Sequence, residues 1–264
     1  MVGQCGRLCL PCQERTAKRR GGRLLPPKNY TLAQSRNPYF RRRDRAVSSM
    51  KPQWPQRIAD RLVRYWPLKA LGTSLFMALF FWAYFQVLHH PDGVPWVMPR
   101  IWLDDWVAFT PYSFPIYASL WVYVSLPPAL MGNLRALILY GLWVGLMCLL
   151  CLALFWFFPT QTPTVDIDWR HYPALAMIKG VDAAGNACPS LHVASAVFSA
   201  CWLGRILWQL HTPNSLTWMS WVLCLGIAWS TMASLQHVAL DVISGAVVGL
   251  VFAAASLRHI RNTV

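Results

Sequence analysis

Six apolar segments, each close to the length needed to cross a bilayer, constrain the fold of this chain more than any other feature. A helix of about 20 mainly apolar residues spans the hydrocarbon core of a membrane. The runs cover residues 70–88, 112–131, 136–158, 191–210, 216–235 and 238–257. Pro115, Pro127 and Pro128 interrupt the second run. The pattern predicts an all-α integral membrane protein with six transmembrane helices, with five or seven as alternatives, and leaves no sequence for a large soluble domain.

The charged residues are concentrated before the first apolar run. Residues 1–69 contain 17 of the 24 Lys and Arg residues but only three acids, whereas the rest of the chain has seven basic and seven acidic residues. This Arg- and Pro-rich segment shows no apolar periodicity, so we expect a disordered tail near anionic lipid headgroups. We expect no nucleic-acid partner, because no nucleic-acid-binding fold accompanies the charge. Met50 is an alternative start, which would make part of the tail a start-site artefact.

The distribution of basic residues predicts the orientation in the membrane. With the N-terminus in the cytoplasm, the cytoplasmic segments hold 21 basic residues against three outside, although the contrast is four to three without the tail. Short cytoplasmic loops favour Lys and Arg. We therefore expect an N-in and C-in protein of a bacterial inner membrane or an equivalent one. Its membrane domain is predicted at residues 70–257, and residues 258–264 form a short cytoplasmic C-terminus.

Two short polar stretches stand at the starts of the fourth and sixth apolar runs. Residues 189–192 read Pro-Ser-Leu-His, and His237 and Asp241 stand four residues apart further along, which places them on one face of a helix. Ionisable side chains in membrane segments are costly and mark functional sites. Because both runs start outside in the predicted topology, we expect His192, His237 and Asp241 at one membrane face and at one depth.

These residue types suit phosphoryl transfer through a phosphohistidine. His237 would attack phosphorus while Asp241 holds its other ring nitrogen. His192 would protonate the leaving oxygen and then activate the acceptor. Ser190 would donate a hydroxyl hydrogen bond, and the backbone N–H groups at the start of the helix, at Leu191, would form an anion site. The pattern therefore favours Ser190 and Leu191 as phosphate-binding residues.

A metal site is the alternative use of the same three ionisable side chains. His192, His237 and Asp241 are of types that bind zinc, but the Pro-Ser pair and Ser230 better suit phosphate, and we expect no metal and no cofactor. Residues 5–12 contain three cysteines with the C-x3-C-x2-C spacing of some iron–sulfur proteins. We expect no cluster there, because the chain has no sequence for a barrel to enclose it.

The two stretches resemble motifs of the type 2 phosphatidic acid phosphatase superfamily, which also contains the vanadium haloperoxidases. The family's Pro-Ser-x-His motif corresponds to residues 189–192, and its Ser-Arg-x5-His-x3-Asp motif to residues 230–241. The resemblance implies a membrane-embedded hydrolase of phosphoric esters, with a lipid phosphate or phospholipid as substrate. It implies His237 as the nucleophile, Asp241 as its partner, His192 as acid and base, and the motif serine as a phosphate ligand.

The basic residues of the family motifs are replaced in this chain. Thr231 stands where the family has Arg, and no Lys followed by an Arg-Pro pair precedes the Pro-Ser-x-His motif. A phosphate dianion in a site of low dielectric needs positive charge or several hydrogen-bond donors. We therefore expect Arg170, Lys179 or Arg100 to supply the charge.

Three functions follow from these observations. We expect hydrolysis of a lipid phosphomonoester or diphosphate at the extracytoplasmic face. Leu191, in place of the family's commoner Gly, and Gln236 before His237 resemble the branch that includes inositol phosphorylceramide synthases, which implies headgroup phosphotransfer to a lipid alcohol as the alternative. Because the cations are missing, a catalytically inactive membrane scaffold or transporter is the alternative of another class.

Small and acidic residues give two further predictions. Gly141 and Gly145 in the third run, and Gly245 and Gly249 in the sixth, have the spacing typical of close helix packing. The acidic pair at residues 104–105 is predicted to solvate the loop before the second run, with binding of a cation or of substrate as the alternative.

Overall fold

Nine helices carry the fold in the computed structural model, which describes residues 53–90, 92–182 and 185–260. They are α1 (Trp54–Val63), α2 (Trp66–His89), α3 (Phe114–Ala118), α4 (Leu120–Leu130), α5 (Leu134–Phe157), α6 (Pro173–Asp182), α7 (Leu191–Leu210), α8 (Asn214–Ala233) and α9 (Ala239–Ile260). Two short strands, β1 (Trp96–Val97) and β2 (Thr160–Gln161), pair in parallel. The cysteines of residues 5–12 and the alternative start at Met50 lie outside the described residues.

Five of the described helices, α2, α5, α7, α8 and α9, are long and apolar enough to cross a membrane. The predicted second span differs, because it forms the two shorter helices α3 and α4. Ser119 joins them: its N–H donates to the Pro115 carbonyl at 3.0 Å, and its hydroxyl donates to the Ile116 carbonyl at 2.6 Å. Pro127 and Pro128 do not interrupt α4, since both lie within its last turn. The described part of the chain therefore has five long helices where six were predicted.

The outer faces of the long helices are apolar. Exposed large side chains include Leu71, Leu75, Leu79 and Trp82 on α2, Leu142, Leu146 and Leu149 on α5, and Val247, Leu250 and Val251 on α9. Continuous apolar surface of this extent is not found on soluble monomers. The faces match the hydrocarbon core of a bilayer, and the chain has the character of a multi-pass integral membrane protein.

Helix α7 forms the centre of the bundle. Its most apolar stretch is 67% buried, against 28% for α5, α8 and α9. It packs most extensively against α9, α8 and α4. Phe198 and Trp202 of α7 pack with Tyr140 of α5, and the Trp202 indole donates to the Ser256 hydroxyl of α9 at 3.0 Å. The helix that carries His192 is thus the one most enclosed by the others.

Two glycines bring α9 into direct backbone contact with α7. A Cβ on Gly245 would lie 2.3 Å from the Ser190 carbonyl oxygen, and one on Gly249 would lie 2.5 Å from that of Ala194. Neither position has room for a larger residue, so the predicted close packing is confirmed for this pair. It is wrong for Gly141 and Gly145, because a Cβ there would meet nothing or only ordinary contact.

The end of the predicted tail is helical. Helix α1 lies before the predicted boundary at residue 69, and Ile58 on its inner side packs against the hydrophobic core. The Lys69 ammonium donates to the carbonyl of Arg61, in the last turn of α1, at 2.6 Å and to that of Ala129, near the end of α4, at 2.7 Å. A cation suits helix C-termini because their last carbonyls have no partner in the helix. Lys69 therefore joins α1 to the bundle.

Candidate active site

The loops at one end of the bundle hold the Pro-Ser-Leu-His stretch in place. Strand β1 follows α2 and strand β2 follows α5, and their pairing ties the two loops together. Thr160 of β2 then binds the segment before α7: its hydroxyl accepts from the Cys188 N–H at 2.8 Å, and its carbonyl accepts from the Ala187 N–H at 3.3 Å. Burial raises the pKa of the Cys188 thiol, so this cysteine stays protonated beside the site and is a poor nucleophile.

A direct backbone link joins the two motif stretches. The Ser190 N–H donates to the Asp241 carbonyl at 2.9 Å, and Gly245 touches the carbonyl of Ser190 one turn further along α9. The first turns of α7 and α9 therefore lie side by side at the same end of the bundle. The structure therefore brings His192, His237 and Asp241 together at this end of the bundle.

A tight turn at the end of α8 presents His237. Leu235 adopts the left-handed conformation with φ of 57°, and the Gln236 N–H donates back to the Thr231 carbonyl at 2.9 Å. This hydrogen-bond pattern ends many helices, but glycine is usual at the left-handed position, where a bulky side chain costs about 1–2 kcal/mol. The Lys179 ammonium donates to the Leu235 carbonyl at 2.5 Å and so fixes the turn from outside.

His237 and Asp241 form a buried pair. Nδ1 of His237 lies 3.5 Å from Oδ2 of Asp241, and the two side chains are 5% and 0% exposed. The distance is long for a hydrogen bond, and the same carboxylate oxygen accepts the Val238 N–H at 3.0 Å. Both ring nitrogens of His237 are buried and have no hydrogen-bond partner in the described structure. The carboxylate therefore lies beside Nδ1, and Nε2 is available to a ligand.

His192 faces His237 and has a partner that the sequence did not reveal. The two imidazole rings lie 5.7 Å apart between centroids. The Tyr117 hydroxyl of α3 lies 2.7 Å from Nε2 of His192, and the two rings pack at 4.8 Å. Tyr117 is one of nine tyrosines in the chain and lies in an apolar run. No sequence spacing connects it to His192. Only the fold identifies it as a site residue.

Asp104 is a second residue whose role was not predicted. Its side chain is 8% exposed, and the expectation that it solvates a loop is wrong. Oδ1 accepts the Ala239 N–H of α9 at 2.7 Å, and Oδ2 accepts the Ile101 N–H at 2.8 Å. A carboxylate at a helix N-terminus satisfies free N–H groups and interacts favourably with the helix dipole. Asp104 thus fixes the start of α9 next to His237, whereas Asp105 is exposed and pairs with Arg100 at 3.1 Å.

The predicted phosphate-binding residues have different surroundings. Ser190 is the N-cap of α7, with its hydroxyl oxygen 3.4 Å from the Val193 N–H, and it is fully buried. Leu191 opens α7 and lines the cavity described below. The Arg170 side chain is exposed and is not part of that cavity lining, and Lys179 binds the turn before His237. The N-terminus of α7 therefore lies at the histidines, and the two basic residues lie further out.

An apolar cavity of about 600 Å³ opens from the histidines into the bundle. His192 and His237 line one part of it, and side chains of α2, α3, α4 and α5 line the rest. Its basic lining residue is Lys69. Lys69 binds Ala129 near the end of α4, whereas His192 binds Tyr117 of α3, so Lys69 and the histidines lie at different ends of the cavity. Among the described residues, no group of three or more His, Cys, Asp or Glu side chains is arranged to hold a metal ion.

Comparison with protein families identifies the part of the chain that carries this site. The model of the PAP2 superfamily matches residues 137–263, a range that contains both motif stretches and helices α7, α8 and α9. This part of the chain is similar to the PAP2 superfamily. Comparison with curated proteins and with solved structures finds no match. The similarity favours phosphatase or phosphotransferase chemistry, and the specific activity has to be argued from the site.

Proposed function

We propose that the protein is an integral membrane lipid phosphate phosphatase that works through a phosphohistidine. The observation that carries the proposal is the buried and unpartnered Nε2 of His237, with Asp241 beside Nδ1 and His192 facing the ring. A nucleophile, the group that orients it and a second acid–base group within reach form the arrangement expected for covalent catalysis. The PAP2 superfamily match supports the same chemistry.

The reaction takes place in two steps. In the first, Nε2 of His237 forms a bond to phosphorus as the ester P–O bond breaks, and His192 gives its proton to the leaving alcohol oxygen. Asp241 stabilises the positive charge on the phosphorylated imidazole. In the second step His192 takes a proton from water, the hydroxide oxygen bonds to phosphorus, and the N–P bond breaks to release phosphate.

The cavity supports a substrate with a long apolar chain. Its lining is almost entirely apolar, and it leads from the two histidines past α2 and α4. A chain placed there loses contact with water along its length, at about 0.8 kcal/mol for each buried CH₂ group. The phosphate would remain at the histidines, where the N-terminus of α7 supplies N–H donors.

The orientation and location belong to the same proposal. With the N-terminus inside, and with α3 and α4 together crossing the membrane between α2 and α5, His192 and His237 would stand at the extracytoplasmic ends of α7 and α9, in a bacterial inner membrane or an equivalent one. The excess of basic residues before α2 supports this orientation.

Headgroup transfer to a lipid alcohol is the close alternative. It differs only in the second step, where an alcohol replaces water as the acceptor. Leu191 in the cavity lining and Gln236 buried next to His237 are the residues that favour it, since both resemble the inositol phosphorylceramide synthase-like branch.

An assay of the purified protein with a long-chain lipid phosphate and a long-chain alcohol distinguishes these functions. Hydrolysis releases inorganic phosphate, whereas transfer yields a phosphodiester of the added alcohol. In His237→Ala we expect a loss of activity of roughly 10³-fold or more and no labelled phosphoprotein. His171→Ala, an exposed histidine of the outer loop, serves as the matched control and should behave like the wild type. Equal activity of His237→Ala and wild type would contradict the proposal, and inactivity of the wild type towards all these substrates would favour a scaffold or transporter.

A further inference from the structure

We propose that Tyr117 is the positioning residue of His192, and that its hydroxyl holds Nε2 so that Nδ1 exchanges the proton with the substrate. The inference rests on the proposed phosphohistidine chemistry. It adds a fourth side chain, from α3, to His192, His237 and Asp241.

The contacts of His192 restrict both the position and the rotation of its ring. The Tyr117 hydroxyl lies 2.7 Å from Nε2, and the phenol ring packs against the imidazole at 4.8 Å. Trp121, one turn further along α4, meets the imidazole edge-on at 5.9 Å. Tyr117 is itself buried, with 4% of its surface exposed. The ring of His192 is therefore held by one hydrogen bond and two aromatic contacts.

The hydrogen bond also determines which nitrogen can react. A doubly protonated imidazole donates from both nitrogens. With the Nε2 proton donated to the Tyr117 oxygen, the Nδ1 proton is the one available to the leaving oxygen. After that transfer the imidazole keeps its Nε2 proton, and the bare Nδ1 takes the proton of water in the second step. The same tautomer thus serves both steps, and the phenol stays neutral throughout.

The two histidines have partners of different charge, and the difference matches their roles. Asp241 places a carboxylate beside His237, which favours the positive charge that forms when this ring is phosphorylated. His192 has to gain and lose a proton in each cycle. A neutral phenol orients the ring without holding that proton as a carboxylate would.

Tyr117→Phe removes the hydroxyl and keeps the ring packing. The matched control is Tyr123→Phe on α4, which removes another buried tyrosine hydroxyl, 2.7 Å from the Ser220 hydroxyl and 3.0 Å from the Ser220 carbonyl oxygen. Each variant loses a buried hydroxyl together with its hydrogen bonds, so we expect similar melting temperatures. A difference in catalysis between them then reports on His192 rather than on folding.

Two substrates distinguish a loss of general-acid catalysis by His192 from a general loss of active-site structure. One is a 2-alkyl-4-nitrophenyl phosphate, and the other is the 2-alkyl-4-nitrobenzyl phosphate with the same alkyl chain. The nitrophenolate leaves without a proton, whereas the benzyl alkoxide needs one. Single-turnover measurements with enzyme in excess report on the first step alone.

We expect Tyr117→Phe to slow cleavage of the benzyl ester by about 10- to 100-fold and cleavage of the phenyl ester by less than about threefold. Tyr123→Phe should leave both rates near those of the wild type. An equal loss with both esters, or no loss with either, would refute the role of Tyr117. If His237→Ala cleaves both esters as fast as the wild type, the proposed function fails first, and the inference about Tyr117 fails with it.

Discussion

Gly245→Ala tests whether the contact between α7 and α9 sets the geometry of the site. The added Cβ would lie 2.3 Å from the Ser190 carbonyl oxygen and 3.1 Å from its carbonyl carbon. Ordinary contact begins near 3.4 Å, so the helices must separate by about 1.1 Å. Both neighbouring atoms are backbone, which cannot move aside as a side chain would. Since Ser190 precedes His192 and Gly245 lies one turn after Asp241, the displacement falls on the two histidines.

The expected effects follow from that displacement. A shift of about 1 Å at a reacting group can cost about 10²-fold in rate. Forcing a methyl group into a filled helix contact costs about 1–3 kcal/mol in the free energy of unfolding. Gly145→Ala is the matched control, because it is another glycine inside a helix and its Cβ would meet only a Phe76 ring carbon at 3.8 Å. Alanine there should raise stability by about 0.5–1 kcal/mol, as in any helix interior.

The assay combines a melting curve in detergent with the rate of phosphate release from a long-chain lipid phosphate. We expect Gly245→Ala to melt below the wild type and to lose about 10²-fold in rate, while Gly145→Ala keeps the wild-type rate and melts slightly above the wild type. Equal rates and melting temperatures for the two variants would show that the contact of α9 with Ser190 does not position the histidines.

Two further predictions concern the start of α9 and the length of the cavity. Asp104→Asn keeps the shape of the side chain but has one acceptor oxygen for two backbone N–H groups, so we expect a loss of about 1–3 kcal/mol in the free energy of unfolding. The control is Asp105→Asn, at an exposed position, which should change stability by less than about 0.5 kcal/mol. Equal melting temperatures of the two variants would contradict the capping role. Gly72 lines the cavity near Lys69, and a Cβ there would meet no atom within 4 Å. Gly72→Phe should therefore reduce turnover of long-chain lipid phosphates and leave that of short-chain ones unchanged, and an equal effect on both chain lengths would show that the chain does not reach this part of the cavity.

Most helices of the bundle could be predicted from the long apolar runs of the sequence. The predicted run 191–210 coincides with α7, and the run 136–158 differs from α5 by two residues at its start. These helices could be predicted because apolar length alone decides whether a segment crosses a bilayer. The position of the break in the second run could not be predicted. It falls at Ser119, where helical hydrogen bonds continue from the Ser119 N–H to the Pro115 carbonyl and from the Tyr123 N–H to the Ser119 carbonyl, and not at the prolines.

Helix α1 was missed although its sequence contains a signal. Arg57, Arg61 and Arg64 recur at helical spacing, and Ile58 falls between them on the side that meets the core. This is the pattern of an amphipathic helix at a membrane interface. The density of Arg and Pro residues before it favoured a disordered tail, and the short periodic segment was included in that tail.

In the site, too, residues that are close in the sequence could be predicted, and contacts between distant residues could not. His192, His237 and Asp241 could be predicted because the stretches 189–192 and 237–241 are each at most five residues long. The predicted topology then brings the starts of the two helices together. Tyr117 and Asp104 could not be predicted, because each acts across the bundle: Tyr117 is 75 residues from its partner His192, and Asp104 is 135 residues from the Ala239 N–H that it caps. A single sequence contains no periodic signal for contacts of this range.

The fold also explains why the arginine of the family motif is absent at position 231. Thr231 is fully buried, and its hydroxyl donates to the Ala228 carbonyl of its own helix at 2.8 Å. A guanidinium group there would need several new partners in a filled interior, which is costly. Among the described residues, Lys179 is the basic side chain that bonds to the turn before His237. Under the proposed function, the N–H groups at the start of α7, the two imidazoles and the charge of Lys179 at the edge of the site would therefore bind the phosphate. This set has less positive charge to offer a dianion than the family motif would supply.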